Sequence, residues 1–330
     1  MTKPSITGPV IGAVVIGRNE GQRLINCLAS IQGAVERLVY VDSGSTDGSV
    51  EAAHRAGAQV VQLDTSAPFT AARARNAGFA MLTADLPPPD YVQFVDGDCT
   101  LEPGWLTHAA QALDASPDIG IITGWRAETA PGASIYNEMC DYEWHRPPGD
   151  IDACGGDMMV RRDLFTRLGG FNPQVIAAED DELCLRVRAA GFRVHRLPLT
   201  MTRHDAAMHS FAQWWQRAIR AGHGFAQVGD LHSGHFVKER RRVWLFGAAL
   251  PFLAVVGVIL SWPLLLAVLA IYALSYGRTV QGQRAFGLPL SKAMRHSVLL
   301  FLSKFPNLIG AMRYHRRKWR GRDMEIIEYK

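Results

Sequence analysis

The strongest constraint on the fold is an alternation of short β-branched runs with helical stretches, which continues to about residue 125. The runs predict strands at residues 10–16, 38–41, 58–63 and 91–95. The stretches between them predict helices from Glu20 to about Gly33, from a Thr46 cap to Gly57, and over residues 71–82. This β-α-β-α order predicts an α/β fold with a mainly parallel sheet and helices on both faces.

Polar clusters follow three of these strands at the point where each strand ends, at residues 17–20, 42–48 and 96–98. Open α/β sheets bind ligands outside the carboxyl ends of their strands, so we expect the three clusters on one rim. Any one cluster alone is equally typical of an ordinary turn or helix cap. The three together predict a binding site.

The last cluster, Asp96-Gly97-Asp98, predicts a divalent metal site. Side chains two positions apart on an extended chain point the same way, so both carboxylates can face one ligand. Mg²⁺ and Mn²⁺ bind one or two carboxylates and take further ligands from phosphates and water. His204 is a candidate for a third ligand if the chain returns to this rim, and a structural histidine is the alternative.

Two arginines are candidates for the positive charge that a diphosphate needs. Arg73 and Arg75 lie at the start of the helix predicted over residues 71–82. Helix N-termini favour anions, and the fork of a guanidinium group matches phosphate oxygens. Without the neighbouring motifs, the pair is equally typical of a helix surface.

Four consecutive acids, residues 179–182, precede an amphipathic helix predicted over residues 181–190. The helix macrodipole alone favours acids at such a position. Four adjacent like charges exceed that need, and they raise one another's pKa if they are partly buried. One of these carboxylates is therefore a candidate general base.

The last part of the chain contains two apolar stretches, residues 243–260 and 264–276, with basic residues on both sides. One helix through both would be about 50 Å long, which exceeds the hydrocarbon thickness of about 30 Å. The basic flanks predict a membrane hairpin, with a re-entrant hairpin or a buried soluble helix as alternatives. Residues 297–312 predict an interfacial helix, anchored by the basic cluster behind it.

Six motifs occur in one order between about residues 10 and 228. They are Gly-Arg-Asn-Glu, Val-Asp-Ser-Gly-Ser-Thr-Asp-Gly-Ser, Ala-Arg-Asn-Ala-Gly, Asp-Gly-Asp, Gly-Gly-Phe and Glu-Asp-Asp-Glu-Leu-Cys-Leu-Arg. A set of motifs in this order is far more specific than any single one. The chain thereby resembles the family-2 glycosyltransferases, and the resemblance implies a fold of the GT-A type.

The resemblance also implies an inverting transfer of a sugar from a nucleotide-diphosphate donor, with Mg²⁺ or Mn²⁺ as cofactor. By that comparison Glu20 and Asp42 hold the nucleoside, and Asp96 and Asp98 hold the ribose, the diphosphate and the metal. Asp180 is the general base. The full set of expected site residues is Gly17, Asn19, Glu20, Asp42, Arg73, Arg75 and Asp96 for the donor, Asp98 and His204 for the metal, Asp180 for catalysis, and Gly155, Gly156, Asp157, Glu179, Trp214 and Arg217 on the acceptor side.

Two departures from the family pattern limit what the resemblance implies. Many members have two successive acids where this chain has Asp42-Ser43, which leaves the nucleobase open. The Gln-x-x-Arg-Trp element of processive synthases is absent, with its nearest match at residues 213–217. Its absence predicts the addition of a single sugar rather than polymer synthesis.

Composition and missing motifs argue against other classes. A net charge of +4 does not suggest a nucleic-acid partner, and the five cysteines lack the C-x-x-C spacing of zinc sites. The chain lacks the G-x-G-x-x-G of nicotinamide dehydrogenases after its first strand, and it lacks a P-loop motif. A sugar-nucleotide pyrophosphorylase-like enzyme and a non-catalytic nucleotide-sugar-binding or scaffold subunit are the alternatives.

The predicted organisation is a catalytic domain over residues 1–230 and a membrane-associated helical region over residues 231–330, with its hairpin at 243–276. We therefore expect the protein at the cell inner membrane, with its catalytic domain in the cytoplasm. A membrane location also makes a lipid or lipid-linked acceptor an expectation.

Overall fold

The computed structural model describes residues 8–64, 66–85 and 87–328. They form two compact units, of which the first ends at Ala207 and the second begins at Met208. The predicted boundary after residue 230 differs from this division. The reason is that the helix Phe211–Leu231 packs against another helix of the second unit.

The described part of the first unit contains a nine-stranded sheet and seven α-helices. Its strands are β1 (Ile11–Gly17), β2 (Arg37–Asp42), β3 (Gln59–Gln62), β4 (Tyr91–Asp96), β5 (Cys99–Leu101), β6 (Ile119–Glu128), β7 (Gly149–Ile151), β8 (Met158–Arg161) and β9 (Arg193–His204). Its helices are α1 (Gln22–Ile31), α2 (Ser49–Arg55), α3 (Ala71–Leu82), α4 (Trp105–Ala115), α5 (Ile135–Trp144), α6 (Arg162–Arg167) and α7 (Glu179–Ala189). The strand order is β3-β2-β1-β4-β8-β6-β9-β5, and β7 also pairs with β9.

The strands β3, β2, β1 and β4 are parallel neighbours, as predicted. Successive side chains of a strand point to opposite faces of the sheet. Ala13 and Val15 of β1 pack in one hydrophobic cluster with α1 and α4, whereas Val14 packs in another with α3, α6 and α7. The predicted helices on both faces of the sheet are thereby confirmed.

The other half of the sheet is mixed, so the predicted parallel arrangement holds only for the first half. The strand β8 is antiparallel to β4 and β6, and β9 is parallel to β6 but antiparallel to β5 and β7. The short strand β5 follows β4 after a tight turn and pairs with the end of β9. This pairing brings a distant part of the chain to the rim.

Two predicted helix starts are shifted. The helix α2 begins at Ser49 rather than after a Thr46 cap, because Gly48 adopts a left-handed φ of 83° directly before it. The helix α7 begins at Glu179, and Ala178 before it has a φ of 62°. All four acids of residues 179–182 therefore lie in the first turn of α7.

The second unit is helical. Its α-helices are α8 (Phe211–Leu231), α9 (Val237–Trp244), α10 (Leu250–Leu260), α11 (Trp262–Ala285), α12 (Leu290–Leu302) and α13 (Lys304–Trp319). The helices α8 and α13 pack very closely, since a Cβ on Gly222 would lie 2.0 Å from the Asn307 carbonyl oxygen. A Cβ on Gly310 would likewise lie 2.0 Å from the Ile219 carbonyl oxygen, so this packing requires glycine at both positions.

Two continuous helical stretches of this unit, Val237–Leu260 and Trp262–Ala285, are long and apolar enough to cross a membrane, by length and composition only. The first contains a π-helical segment, Leu245–Ala249, which ends two residues before Pro251. A π-turn accommodates the proline, which has no N–H to donate and whose ring clashes with a regular α-turn. The two stretches separate at Ser261, and Pro263 lies in the first turn of α11, where a missing N–H is tolerated.

The interfacial helix predicted over residues 297–312 is two helices in the structure. The helix α12 ends at Leu302 and α13 begins at Lys304. Pro306 explains the break, because it cannot donate an N–H to the carbonyl of Leu302 and thus cannot continue the preceding helix.

Candidate active site

The loops after β1 and β2 are hydrogen-bonded to each other at the carboxyl ends of their strands. The side-chain oxygen of Asn19 accepts the Thr46 N–H at 2.7 Å, and the Asn19 N–H donates to Ser45 Oγ at 2.9 Å. The N–H of Gly21 donates to a carboxylate oxygen of Asp47 at 2.8 Å. These bonds hold the first two motifs side by side on the rim.

The carboxylate of Asp42 is buried and bonded within its own turn. One oxygen accepts the N–H groups of Gly44 and Ser45, both at 2.9 Å, and the other accepts the Tyr40 hydroxyl at 3.1 Å. In the sheet, Asp42 lies opposite Gly17. These contacts shape the loop, and the predicted contact of Asp42 with a nucleoside stays a prediction. The same holds for Glu20, whose carboxylate lies 2.7 Å from the Arg23 guanidinium.

Asp96 and Asp98 face different partners across a tight turn. The N–H of Gly97 donates to a carbonyl of β1 at 2.8 Å, so the chain turns directly after β4. Asp96 Oδ1 lies 2.6 Å from Arg75 Nη2, whereas Asp98 Oδ2 lies 3.2 Å from His204 Nε2. The chain is thus not extended here, as the argument for two parallel carboxylates assumed, and a ligand shared by Asp96 and Asp98 stays a prediction.

The chain does return to this rim at His204, which the metal prediction required. Because β5 pairs with the end of β9, Cys99 lies opposite His204. Asp98, Cys99 and His204 offer ligand atoms within 4.8 Å of one another. Neighbouring ligands of an octahedral ion with bonds of about 2.1 Å lie about 3 Å apart, which agrees with the 3.2 Å between Asp98 and His204. Burial raises the pKa of the Cys99 thiol, so Asp98 and His204 are the better ligands.

Arg75 is a buried cation between two carboxylates. Its Nη2 donates to Asp96 and its Nη1 donates to Glu179 Oε1 at 2.8 Å. Burial lowers the pKa of Arg75, but the charges of Asp96 and Glu179 outweigh burial and raise it above the ordinary value. Only 3% of the residue is exposed. This differs from the prediction that Arg75 faces the donor phosphates, because both terminal nitrogens already bind protein carboxylates.

The guanidinium group of Arg73 binds backbone carbonyls of the loop before α3. Its Nη1 donates to Ala67 and Pro68 at 2.9 and 2.6 Å, and its Nη2 donates to Asp64 at 3.2 Å. Arg73 therefore braces this loop, and its contact with a diphosphate stays a prediction.

Arg126 is a site residue that sequence reasoning missed. Its Nη2 lies 2.8 Å from Asp157 Oδ2 and 3.6 Å from Asp96 Oδ2. Its guanidinium carbon lies 5.5 Å from the ring centre of Trp144, which in turn contacts the His204 ring edge-on at 4.7 Å. Arg126 and Trp144 belong to no motif, so no local signal in the sequence identifies them.

Gly155 and Gly156 pack against the two buried arginines. A Cβ on Gly156 would lie 1.9 Å from Arg75 Nη2, and a Cβ on Gly155 would lie 3.3 Å from Arg126 Nη2. We predicted that these glycines allow close approach of an acceptor. The contacts give a different reason for glycine at these two positions: a larger residue would collide with the guanidinium groups of Arg75 and Arg126.

Asp157 is almost fully buried and supports the end of β4. Its carboxylate accepts the Asp96 N–H at 2.9 Å and the Thr202 hydroxyl at 3.1 Å, and it is 1% exposed. This burial differs from the predicted acceptor-side role, since an acceptor could not reach the carboxylate without displacing these partners. Asp157 thus fixes the backbone of Asp96.

Two of the four acids in residues 179–182 are neutralised by arginines. Glu179 binds Arg75, and Glu182 Oε2 lies 2.8 Å from Arg186 Nη2 within α7. The cluster is therefore not a set of four equivalent charges.

Asp180 and Asp181 are the partly exposed acids of the four, and Asp180 directly follows Glu179. Its Oδ1 accepts the N–H of Asp181 at 2.9 Å. Burial and then the charge of Glu179 raise the pKa of Asp180 to about 6, against the opposing charge of Arg75. A carboxylate with this pKa is ionised at neutral pH and still binds a proton readily, which suits a general base.

Trp214 and Arg217 lie on α8 in the second unit. Trp214 is buried there, with ring contacts to Phe211 at 5.4 Å and Trp215 at 6.4 Å. The acceptor-side role of Trp214 and Arg217 stays a prediction.

The site carries an excess of negative charge, which a divalent cation would offset. Its carboxylates outnumber its guanidinium groups by three: Asp96, Asp98, Asp157, Glu179 and Asp180 against Arg75 and Arg126. Buried charge without a counter-ion is strongly unfavourable. The donor set and the charge therefore both fit Mg²⁺ or Mn²⁺.

Comparison with known proteins agrees with the motifs. Residues 13–169 match the family model described as glycosyl transferase family 2. Residues 140–210 match a second model, described as the N-terminal domain of galactosyltransferase.

Two curated relatives match part of their own length. A TPR repeat-containing protein of Synechococcus elongatus is 27% identical over 194 residues, which is 59% of this chain and 41% of that protein. The pre-mycofactocin glycosyltransferase of Mycobacterium tuberculosis is 25% identical over 211 residues, which is 59% of this chain and 42% of that protein. The chain thus spans about two fifths of the length of these relatives.

Among solved structures, the chain is similar to a mannosyltransferase from Pyrobaculum calidifontis in complex with GDP-mannose and Mn²⁺. The TM-score is 0.60 at 18% identity, over 95% of this chain and 89% of that one. At 18% identity this similarity supports a conclusion about the fold only. The fold is of the expected GT-A type. The motifs, the strands that carry them and the family match together identify residues 13–169 as a glycosyl transferase family 2 segment.

Proposed function

We propose that the protein transfers a single sugar, with inversion, from a nucleotide-diphosphate sugar to an acceptor hydroxyl. The observation that carries this proposal is the approach of His204 to Asp98 in the turn after β4. On the same rim Arg75 joins Asp96 to Glu179, the neighbour of Asp180 in the chain. Asp98 and His204 would hold Mg²⁺ or Mn²⁺. The metal, when bound, offsets the charge of the donor diphosphate and of the leaving group.

The donor side of the proposal rests on the rim of parallel strands. We expect the nucleoside near Gly17, Asn19, Glu20 and Asp42, which follow β1 and β2 where such sheets bind ligands. The similar mannosyltransferase was solved with GDP-mannose and Mn²⁺, which is the same class of donor.

In the proposed reaction, Asp180 accepts the proton of the acceptor hydroxyl while that oxygen attacks the anomeric carbon. The bond between the anomeric carbon and the diphosphate breaks on the opposite face, so the configuration inverts. The nucleoside diphosphate leaves with the bonding electron pair. Arg75 and Arg126 keep Asp96 in place and balance the carboxylates around it.

We propose in addition that the second unit inserts into a membrane as a hairpin formed by α10 and α11. The apolar side chains near the turn are exposed, with Leu260 at 77% and Trp262 at 71%. Trp244, also exposed, is separated from Trp262 by most of the stretch Val237–Leu260, which is about 27 Å at a rise of 1.5 Å per residue. This spacing is close to the hydrocarbon thickness, and tryptophan favours both interfaces. An acceptor attached to a lipid would suit this location.

Thermal unfolding with a panel of nucleotide sugars tests the donor site. UDP-, GDP-, dTDP- and CDP-sugars would be added with and without MnCl₂. We expect one donor to stabilise the protein by about 2.7 kcal/mol at 100 times its Kd, and only with the metal. No stabilisation by any donor would contradict the proposal.

A donor turnover assay separates the proposed enzyme from its alternatives. Release of nucleoside diphosphate from the stabilising donor indicates a transferase. Binding without turnover would indicate a non-catalytic subunit. Formation of nucleoside triphosphate from the donor and pyrophosphate would indicate a pyrophosphorylase-like enzyme.

A further inference from the structure

Glu179 is buried at the start of α7 and contacts the site through one residue. Its side chain is 6% exposed and its carboxylate lies 2.8 Å from Arg75 Nη1. In the described ranges, the structure gives this carboxylate no other hydrogen-bond or ion-pair partner. The polar contact that connects Glu179 to the rest of the site is therefore the one with Arg75.

Arg75 connects Glu179 to the end of β4. Its second terminal nitrogen lies 2.6 Å from Asp96 Oδ1, on the strand end that leads to the metal-binding turn. The guanidinium group is also confined from the side, because Gly156 leaves no space for even a methyl group beside Nη2. The Arg75 guanidinium group is thus confined by Glu179, Asp96 and Gly156. A shift of this group would therefore be passed on to Asp96.

We propose that Arg75 and Glu179 are positioning residues, and that Glu179 sets the geometry of Asp96 through Arg75 for metal-dependent donor binding. The inference rests on the proposed function, since that function places the metal at Asp98 and His204, with Asp98 two residues after Asp96 in the same turn. It replaces two sequence-based expectations: Arg75 does not bind the phosphates directly, and Glu179 does not contact the acceptor.

Glu179→Gln is the decisive variant, because it keeps the shape of the side chain but removes its charge. The measurement is the affinity for nucleoside diphosphates by titration calorimetry, with UDP, GDP, dTDP and CDP as probes. MnCl₂ is present and acceptor is absent. Residues that hold the surroundings of a metal site in place typically contribute about 10- to 100-fold to metal affinity. Because Asp96 begins the turn that carries Asp98, we expect about a tenfold loss for the diphosphate that the wild type binds.

Glu182→Gln is the matched control. Glu182 is also buried in the first turn of α7 and also pairs with an arginine at 2.8 Å, but with Arg186 rather than with Arg75. It therefore reproduces the loss of a buried ion pair without touching Asp96. We expect its thermal stability to fall as in Glu179→Gln, with nucleotide affinity within about twofold of the wild type.

A double variant tests whether the two residues act as one unit. Arg75→Met with Glu179→Met removes both buried charges together and serves if Glu179→Gln does not fold. If the residues act in series, the loss in the double variant equals that of Arg75→Met alone. If the double variant instead loses as much affinity as the product of the losses in Arg75→Met and Glu179→Met, the two residues have separate roles. That result would overturn the inference.

Two further outcomes are distinguishable. Normal nucleotide affinity in Glu179→Gln, with a raised KM for the acceptor, would place Glu179 on the acceptor side. This result would overturn the inference but leave the proposed function intact. A wild type that binds none of the nucleoside diphosphates would overturn the proposed function, and the inference with it.

Discussion

Replacement of Asp180 by asparagine isolates the proposed base. The substitution keeps the size and the polarity of the side chain but removes its ability to accept a proton. General-base catalysis typically contributes about 10²- to 10⁴-fold to a rate, so we expect kcat to fall at least about a hundredfold. That loss corresponds to about 2.7 kcal/mol of transition-state stabilisation.

The pKa of Asp180 adds a second signature. With a pKa of about 6, about nine tenths of the carboxyl groups are ionised at pH 7 and about one tenth at pH 5. Only the ionised form accepts a proton, so kcat/KM for the donor should rise about tenfold per pH unit below pH 6 and level off above it. Asp180→Asn should remove this limb of the pH profile.

The assay follows release of nucleoside diphosphate from the stabilising donor, with a sugar acceptor or water as nucleophile. Asp181→Asn is the matched control, since Asp181 lies in the same helical turn. We expect the control to keep near-normal turnover and both variants to bind the donor within about threefold of the wild type.

Near-normal turnover in Asp180→Asn would refute this reasoning. If Asp181→Asn were then inactive, the base would be the neighbouring carboxylate. If both variants stayed active, the acids of residues 179–182 would serve only the helix start and the ion pairs described above.

Three further predictions follow from the same contacts. Asp98→Ala should abolish both turnover and the Mn²⁺ dependence of donor binding, and full turnover of the wild type in excess EDTA would contradict the metal site. Gly156→Ala should weaken metal-dependent nucleotide binding at least tenfold, about 1.4 kcal/mol, because overpacking typically costs about 1–3 kcal/mol and here displaces Arg75. Gly155→Ala, with a looser contact of 3.3 Å, is its control and should bind nearly normally. Reporter fusions at Val237 and at the C-terminus should report the same side of the membrane, and opposite sides would rule out the hairpin.

Local patterns in the sequence predicted the parallel half of the sheet well. The helix α3 has the predicted bounds, and β1, β2, β3 and β4 differ from prediction by about one residue. These elements depend on hydrophobic periodicity and on the residues that end helices and strands, and both are properties of neighbouring positions. The clusters at the strand ends could be expected on one rim for the same reason.

The mixed half of the sheet could not be predicted in this way. Pairing of β5 with β9 joins Cys99 to His204, which are far apart in the sequence. No local period encodes such a partner, so the approach of His204 to Asp98 depended on the tertiary structure. The sequence supplied the candidate ligand, and the fold decided that it reaches the site.

The roles of the charged residues were decided by the fold as well. Sequence identified Arg75 as a cation near phosphate and Glu179 as an acid near the acceptor, but burial pairs them with each other and with Asp96. Arg126 carried no local signal at all. A residue's type and its neighbours in the chain determine which chemistry it can perform. Which partner it meets, and whether water still reaches it, are set by contacts between distant segments.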